Sequence, residues 1–235
     1  MSESLSLSVI VPVWREAATI QSFLQSLQPV RTAGHEVIVV DVGSDDGTAD
    51  LARPWCDLVL VGAKGRALQM NAGADAARGN VLLFLHADTR LPETAIDHLE
   101  SFFSTPEQWG RFDVRLSGRR TIFRVVAWFM NRRSRLTGIA TGDQAMFVRT
   151  SAFRALQGFA PIPLMEDVEL SKRLCSVSKP YCIGSPVTTD SRRWEQGGAW
   201  RTIFLMWRLR WRYWRGESPE SLAAAYRADV RHAKS

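Results

Sequence analysis

Short apolar runs alternate with segments of helical spacing over the first hundred residues, and this alternation limits the folds open to the chain. The runs predict strands over residues 7–13, 36–41, 58–61 and 81–85. Helical spacing is found between and after these runs, over residues 17–27, 66–77 and 93–103, and the turn over 43–48 leads into a further helix through Ala52, with Asp45 or Asp46 near its N-terminus. Strict alternation of strand and helix is typical of a parallel sheet covered on both faces. The sequence therefore predicts an α/β fold with a doubly wound, mostly parallel sheet flanked by helices.

The second half of the chain is less regular. Short strands are predicted over 112–116 and 145–149, and helices over 122–133, near 152 and over 165–175. Two more helices are predicted over 199–215 and 219–232. They form a C-terminal extension, the first of them rich in Trp and Arg.

Composition allows a large core without disulfide bonds. Hydrophobic residues make up 46% of the chain, and the three cysteines have neither zinc spacing nor a CxxC pair. Free thiols fit a reducing compartment, the first residues lack the pattern of a secretory signal, and no apolar stretch is long enough to span a membrane. A cytoplasmic protein is therefore expected, and attachment to the inner face of the membrane stays open.

The net charge of +6 is unevenly distributed, because residues 1–100 are acidic and residues 101–235 are strongly basic. A basic half indicates an anionic partner, either phosphate groups or a membrane surface. No nucleic-acid-binding motif is present, so nucleic acid is not an expected partner.

Polar residues follow the apolar run over 81–85 at once, in the order His86-Ala87-Asp88-Thr89. In an open parallel sheet, ligands bind beyond the carboxyl ends of the strands. Asp88, with His86 two residues before it, can hold a hard divalent cation against a phosphate. The alternative is that Asp88 only caps a turn.

Two more carboxylates, Glu16 and Asp41, follow the first and second predicted strands. Since parallel strands end along one edge, these side chains and Asp88 could converge on one ligand, with Glu16 and Asp41 accepting hydrogen bonds from a base or ribose. Singly, Glu16 also suits the first turn of a helix and Asp41 a turn.

Four motifs together resemble the family 2 glycosyltransferases of the GT-A fold. They are Val9-Ile-Val-Pro-Val-Trp-Arg-Glu16, Val39 to Thr48, Leu83-Phe-Leu-His-Ala-Asp88, and the stretch from Met165 to Leu174 that contains Glu166-Asp167. Their order and spacing cover roughly residues 7–195. Gly142 to Arg149 and Ser191 to Trp194 further resemble the small bacterial transferases associated with radical-SAM/selenodomain proteins.

The resemblance implies an enzyme that moves a hexose from a UDP- or GDP-sugar to an acceptor, with inversion. It divides the chain into a transferase domain over 1–198 (nucleotide half 1–104, acceptor half 105–198) and a helical extension over 199–235. It places the following residues at the nucleotide sugar: Pro12, Glu16, Asp41, Arg66, Asn71, His86, Asp88, Asp143 and Gln144. Asp88, with His86 as a second candidate ligand, would coordinate Mg²⁺ or Mn²⁺ on the diphosphate. Asp167 would be the general base beside Glu166, and Arg192, Arg193 and Trp194 would bind the acceptor or the diphosphate.

Physical chemistry agrees with these roles. A nucleotide diphosphate leaves readily only when a cation offsets the charge that develops on its phosphate oxygens. A single displacement needs one carboxylate within hydrogen-bond reach of the acceptor hydroxyl. Repulsion by Glu166 would raise the pKa of Asp167, although two acids in the first turn of an exposed helix are the plain alternative.

Two positions depart from the family pattern, which usually has Asp where this chain has Val42 and His86. Both changes leave the donor open, and His86 is a metal ligand, a ribose contact or a spacer. Both changes also leave open that the protein is a non-catalytic, membrane-docking relative of the family. The intact Glu166-Asp167 pair is evidence against this alternative. A nucleotidyltransferase, the other alternative, would need a Gly-rich basic loop after the first strand, and Val13-Trp-Arg-Glu-Ala17 is not such a loop.

The predicted helix over 199–215 has an aromatic face with an Arg stripe beside it. At 100° per residue the face contains Trp200, Ile203, Phe204, Trp207, Trp211 and Trp214, and the stripe contains Arg201, Arg208, Arg212 and Arg215. Three uses stay open: a membrane interface, packing of the Trp face on the domain, and binding of the acceptor. A second Arg cluster over 119–135 favours an anionic or lipid-linked acceptor, or is solvated surface.

Overall fold

The computed structural model describes residues 4–192, 195 and 198–232. Its sheet has eight strands in the order β3-β2-β1-β4-β7-β6-β8-β5. The strands are β1 Leu7–Val13, β2 Glu36–Asp41, β3 Leu58–Val61, β4 Val81–Phe84, β5 Thr89–Arg90, β6 Trp109–Leu116, β7 Met146–Arg149 and β8 Tyr181–Thr189. Four of the strand pairs, β1 with β2, β1 with β4, β2 with β3 and β6 with β8, are parallel.

Helices cover both faces of this sheet. They are α1 Ile20–Ser26, α2 Gln28–Thr32, α3 Thr48–Ala52, α4 Arg66–Ala76, α5 Ala95–Phe103, α6 Thr121–Thr137, α7 Thr150–Ala155, α8 Glu166–Val177, α9 Ala199–Trp214 and α10 Pro219–His232. Single 3₁₀ turns are found over Arg53–Trp55 and Gly142–Gln144. Buried residues of α1 and α5 pack on one face of the sheet, and those of α4, α7 and α8 on the other. The predicted doubly wound α/β architecture is therefore confirmed.

Strand β4 lies in the middle of the sheet and is buried on both faces. Val81 and Leu83 point into the core that contains α1 and α5, whereas Leu82 and Phe84 point into the core that contains α4 and α8. This is why its sequence is a continuous apolar run instead of an alternation. The burial fixes the strand, and hence the turn that follows it.

The direction of the sheet changes beside β4, because β7 pairs with β4 and with β6 in antiparallel fashion. At the far edge, the two-residue strand β5 pairs with the end of β8, with Thr89 opposite Thr189. No pattern in the sequence predicts β5 or β8. Strand β8 contains Gly184 and Pro186 and lacks regular alternation, and a register shift between Phe112 and Asp113 of β6 accommodates it.

The C-terminal helices α9 and α10 pack on the domain through a small apolar cluster. Leu205 and Leu209 of α9 contact Leu222 of α10 and the start of α8. The aromatic face of α9 points outward, and Trp200, Phe204, Trp207, Trp211 and Trp214 are 58–75% exposed. The helix thus packs mainly through the face opposite to its tryptophans, and Ile203 also packs against Leu116, Phe123 and Val126. Among the residues described, no helix combines the length and apolarity needed to cross a membrane.

Candidate active site

A cavity of about 770 Å³ lies beyond the end of β4, where α6, α8, α9 and α10 meet. One end of it is polar and is lined by Arg66, His86, Asp88, Thr141, Asp143, Glu166, Asp167 and Asp190. The other end is apolar and is formed mainly by α6 and α9. Asp88 and Asp167, which are 79 positions apart in the sequence, therefore face the same space.

The turn after β4 holds Asp88 at the cavity. The Thr89 N–H donates to the His86 carbonyl at 3.0 Å, and the Thr89 hydroxyl donates to Asp88 Oδ1 at 3.0 Å. Pairing of β5 with β8 continues one residue further, because the Asp190 N–H donates to the Asp88 carbonyl at 3.0 Å. Asp88 thus makes the contacts expected of a residue that caps a turn, and it also lines the cavity.

Asp190 was missed by the sequence analysis, although it lines the cavity directly opposite Asp88 on the neighbouring strand. Its carboxylate accepts a hydrogen bond from the Arg192 N–H at 2.7 Å and forms an ion pair with the Arg192 guanidinium. Only the position of β8 reveals it, and the sequence carries no clear strand pattern there.

His86 is enclosed by the 3₁₀ turn over 142–144. A Cβ atom on Gly142 would come within 2.6 Å of His86 Nε2, and His86 Nδ1 lies 3.7 Å from Asp143 Oδ1. Nε2 is buried and has no hydrogen-bond partner among the residues described. Glycine at 142 is therefore required by this close approach.

The residues at this site fit a metal ion only if the substrate supplies some of its ligands. In the part of the chain that the structure describes, no three His, Cys, Asp or Glu side chains are grouped as an all-protein metal site. Mg²⁺ is often held by one or two carboxylates together with the phosphates of a substrate. The carboxylates of Asp88 and Asp190 at one wall of the cavity match that kind of binding.

Asp167 lies in the first turn of α8, after Met165 in a left-handed conformation with φ of 69°. Its Oδ2 accepts a hydrogen bond from the Gly142 N–H at 2.9 Å, and its Oδ1 accepts one from the Val168 N–H at 2.7 Å. Burial, and then the charge of Glu166, raise the pKa of Asp167 to about 6 against the opposing effects of these bonds and of Arg66. A carboxylate in this state is suited to take up a proton near neutral pH.

Arg66 balances part of the negative charge. Its Nη1 lies 3.5 Å from Glu166 Oε1, with Glu166 buried and the Arg66 side chain 53% exposed. Partial loss of solvent around the guanidinium group lowers the pKa of Arg66, but the charges of Glu166, Asp167 and Asp143 outweigh this effect, so the pKa is raised. A cation next to three carboxylates can also pair with an incoming phosphate.

Several residues predicted at the nucleotide lie away from the cavity lining. The Asp41 carboxylate accepts hydrogen bonds from the Gly43 and Ser44 N–H groups and from the Ser44 hydroxyl. Asn71 exchanges two hydrogen bonds with the backbone of Phe159. Glu16 accepts a hydrogen bond from Thr19.

Two more of the predicted nucleotide contacts lie within secondary structure. Pro12 is inside β1, and Gln144 is the last residue of the 3₁₀ turn, where it is fully buried. Arg193 and Trp194 fall outside the described residues. The roles assigned to all of these residues stay predictions.

Left-handed backbone is found at Met165, which lines the cavity, and at two positions beside other segments predicted to bind substrate. Besides Met165, Arg15 after β1 and Ala145 after the 3₁₀ turn have φ of 54° and 44°. Such conformations cost free energy in residues with a Cβ and are concentrated at functional sites. Each precedes or follows a segment predicted to bind substrate.

Comparison with known proteins identifies the family. The family model described as "Glycosyl transferase family 2" matches residues 8–158. Glycosyltransferase AglE of Haloferax volcanii is 36% identical over 90 residues, which cover 34% of this chain and 30% of that protein. The undecaprenyl-phosphate 4-deoxy-4-formamido-L-arabinose transferase of Aeromonas hydrophila is 27% identical over 161 residues, covering 60% and 47% of the two chains. This chain thus spans less than half the length of these relatives.

Solved structures agree on the fold. The mannosyltransferase PcManGT from Pyrobaculum calidifontis, in complex with GDP-Man and Mn²⁺, superposes with a TM-score of 0.66 at 20% identity, covering 96% of this chain and 70% of that one. S. aureus TarS 1-349 in complex with UDP-GlcNAc gives 0.65 at 18% identity, covering 80% and 59%. The chain therefore belongs to glycosyl transferase family 2.

Proposed function

We propose that this protein is an inverting, metal-assisted hexosyltransferase that uses a UDP- or GDP-sugar. The observation that carries the proposal is that Asp88, Asp167 and Arg66 line one cavity, although separate segments supply them. A donor diphosphate and an acceptor hydroxyl have to meet in one place for a single displacement. Bound GDP-Man and UDP-GlcNAc in structural neighbours support this class of donor.

On the donor side, Asp88 would hold Mg²⁺ or Mn²⁺ together with the diphosphate, and His86, whose ring lies against Gly142, is the second candidate ligand. The cation supplies stabilisation of the negative charge that develops on the leaving nucleotide. Arg66 adds a second positive charge at the same end of the cavity. We further propose that the nucleotide is contacted by the residues that the motifs indicate, which are Pro12, Glu16, Asp41, Asn71, Asp143 and Gln144.

On the acceptor side, Asp167 would remove the proton of the attacking hydroxyl. Hydrogen bonds from Gly142 and Val168 fix the orientation of its carboxylate, which a base needs for geometry within hydrogen-bond reach. Glu166 raises the basicity of Asp167 and keeps Arg66 in place. One base and one displacement lead to inversion at the anomeric carbon.

We further infer an anionic or lipid-linked acceptor and contact of α9 with an anionic membrane surface. The exposed tryptophans of α9 and the neighbouring Arg201, Arg208 and Arg215 have the composition of an interfacial helix. Replacement of Trp207 and Trp211 by Ser should abolish flotation of the protein with anionic liposomes, and unchanged flotation would exclude this contact. Because the segments Gly142–Arg149 and 191–194 resemble those of the radical-SAM/selenodomain-associated transferases, we also propose that the chain belongs to that branch.

A mass-spectrometric screen of nucleotide sugars for turnover tests the proposed function. Wild-type protein should consume one UDP- or GDP-sugar in the presence of Mn²⁺, and Asp167→Asn should not. Asp97→Asn, at an exposed position of α5 outside the cavity, is the matched control and should retain activity. Equal turnover by the Asp167 and Asp97 variants would exclude the role of Asp167 as base.

A further inference from the structure

The apolar end of the cavity is a groove between two helical stripes. The stripe on α6 consists of Ile122, Val125, Val126, Phe129, Met130 and Arg133. The stripe on α9 consists of Trp200, Ile203, Met206, Trp207 and Arg210. Both have the spacing of one helix face, and the eleven residue steps from 122 to 133 correspond to about 16 Å along a helix. Each stripe is apolar for most of its length and ends in an arginine.

Arg133 has the features of an anion-binding residue, and no acceptor of the described residues binds two of its buried nitrogen atoms. Its Nε and Nη2 atoms are buried, and neither has a hydrogen-bond partner among the residues described. Nε of Arg210, which lines the same cavity, is in the same state. Burial lowers the pKa of Arg133, and the charges of Asp167 and Asp143 act against this effect. Buried guanidinium N–H groups without partners are costly unless a ligand satisfies them.

The two free atoms of Arg133 lie on one edge of the guanidinium group. The same edge of Arg31 binds the Asp57 carboxylate with Nε at 3.0 Å and Nη2 at 2.8 Å. A phosphate offers two oxygens at matching separation and accepts such a fork in bidentate fashion. The edge of Arg133 is therefore suited to one phosphate group.

We propose that this groove binds an amphiphilic acceptor, with its phosphate group on Arg133 and its hydrocarbon part between α6 and α9. The inference rests on the proposed function, which it deepens by naming the class of acceptor. The position of Arg133 supports it, because Arg133 and the proposed base Asp167 line the same cavity. The length of the groove supports it as well, because a hydrocarbon part can cover about 16 Å of apolar lining that a free phosphate would leave uncovered. Val125, Phe129 and Trp207 are 42–63% exposed, so the groove is open for an amphiphile to enter from a lipid surface.

Calorimetry on the full chain, with decyl phosphate below its critical micelle concentration, tests the proposal. Decyl phosphate should bind at least tenfold more tightly than inorganic phosphate and than decanol. Arg133→Gln should weaken its binding at least tenfold, and Arg133→Lys should restore part of it. Arg132→Gln, at the exposed neighbouring position, is the matched control and should bind like wild type. Val125→Asp, at a part-exposed position of the groove, should weaken the binding of decyl phosphate but not that of inorganic phosphate.

Each of the contrary outcomes overturns a stated part of the proposal. Inorganic phosphate binding as tightly as decyl phosphate would identify a free-phosphate site, and equal binding of decanol would exclude a role for Arg133. Equal affinities of the Arg133→Gln and Arg132→Gln variants would have the same consequence. A dimer of the wild type that dissociates on Val125→Asp would identify the groove as an interface between copies.

Nucleotide binding on the same samples separates this inference from the proposed function. Normal binding of UDP or GDP without binding of decyl phosphate overturns only the acceptor assignment. Binding of decyl phosphate without binding of any nucleotide overturns the proposed function and the acceptor assignment with it. Far-UV circular dichroism of each variant verifies that it is folded.

Discussion

The rate of sugar transfer should fall as the pH decreases through about 6, because the proposed base is protonated there. Burial, and then the charge of Glu166, raise the pKa of Asp167 from 3.8 to about 6. Only the carboxylate form accepts a proton, so kcat/KM should fall about tenfold per pH unit below that value. At pH 5 we expect roughly one tenth of the plateau rate. An exposed aspartate with a pKa of about 3.9 would retain about nine tenths of it.

Glu166→Gln provides the matched perturbation. It removes one of the two causes of the raised pKa and frees Arg66, whose charge lowers the pKa of Asp167. Both effects act in the same direction, so the midpoint of the acid limb should move below that of the wild type. The assay is kcat/KM from initial rates between pH 4.5 and 8 at constant ionic strength, with Asp97→Asn as the control for a surface carboxylate. A wild-type midpoint near pH 4, or an upward shift in Glu166→Gln, would refute the reasoning.

Three further perturbations test the packing of the site and the core. Gly142→Ala places a Cβ atom within 2.4 Å of the His86 ring, so kcat/KM should fall by about 10- to 100-fold with unchanged circular dichroism, and a loss below twofold would contradict the close approach. Leu83→Ala removes a fully buried side chain of β4 and should lower the free energy of unfolding in urea by about 2–5 kcal/mol; a loss under about 1 kcal/mol would contradict its place in the core. Asp167→Asn should raise the melting temperature at pH 7.5, because a carboxyl whose pKa is higher in the folded state destabilises that state once it is ionised. The difference should shrink between pH 6 and pH 4, and a gap that widens there would contradict the raised pKa.

Much of the first half of the fold was predictable because its strands are buried on both faces. Strands β1, β2 and β3 have the predicted bounds, and β4 ends one residue earlier than predicted, before Leu85. A short, continuous apolar run between turn residues is typical of a strand that is buried on both faces of a sheet. The edge with Asp88 follows from the position of β4 in the sheet.

The strands at the far edge could not be predicted, because their pairing partners define them. The residues of β8 contain glycine and proline and show no alternation, and β5 is only two residues long. Asp190 therefore had no visible connection to Asp88. Its position depends on the register Thr89 to Thr189, which a local pattern does not contain.

The orientation of α9 shows a second limit of sequence patterns. Periodicity correctly grouped its tryptophans on one face, but Leu205 and Leu209 form a narrower apolar stripe on another face. The spacing of residues tells which of them share a face, whereas the surface available on the domain decides which face packs. In this chain the Leu stripe is buried and the tryptophans are exposed.

Calorimetric titration with UDP, GDP and TDP, each with and without Mn²⁺, tests most directly whether the cavity holds a nucleotide donor through Asp88. One of the nucleotides should bind to the wild type, and Mn²⁺ should tighten its binding at least tenfold. Asp88→Asn should lose the effect of Mn²⁺, whereas Asp167→Asn should bind the nucleotide like the wild type because it acts on the acceptor. Absence of binding for all three nucleotides, or an undiminished effect of Mn²⁺ in Asp88→Asn, would contradict the account.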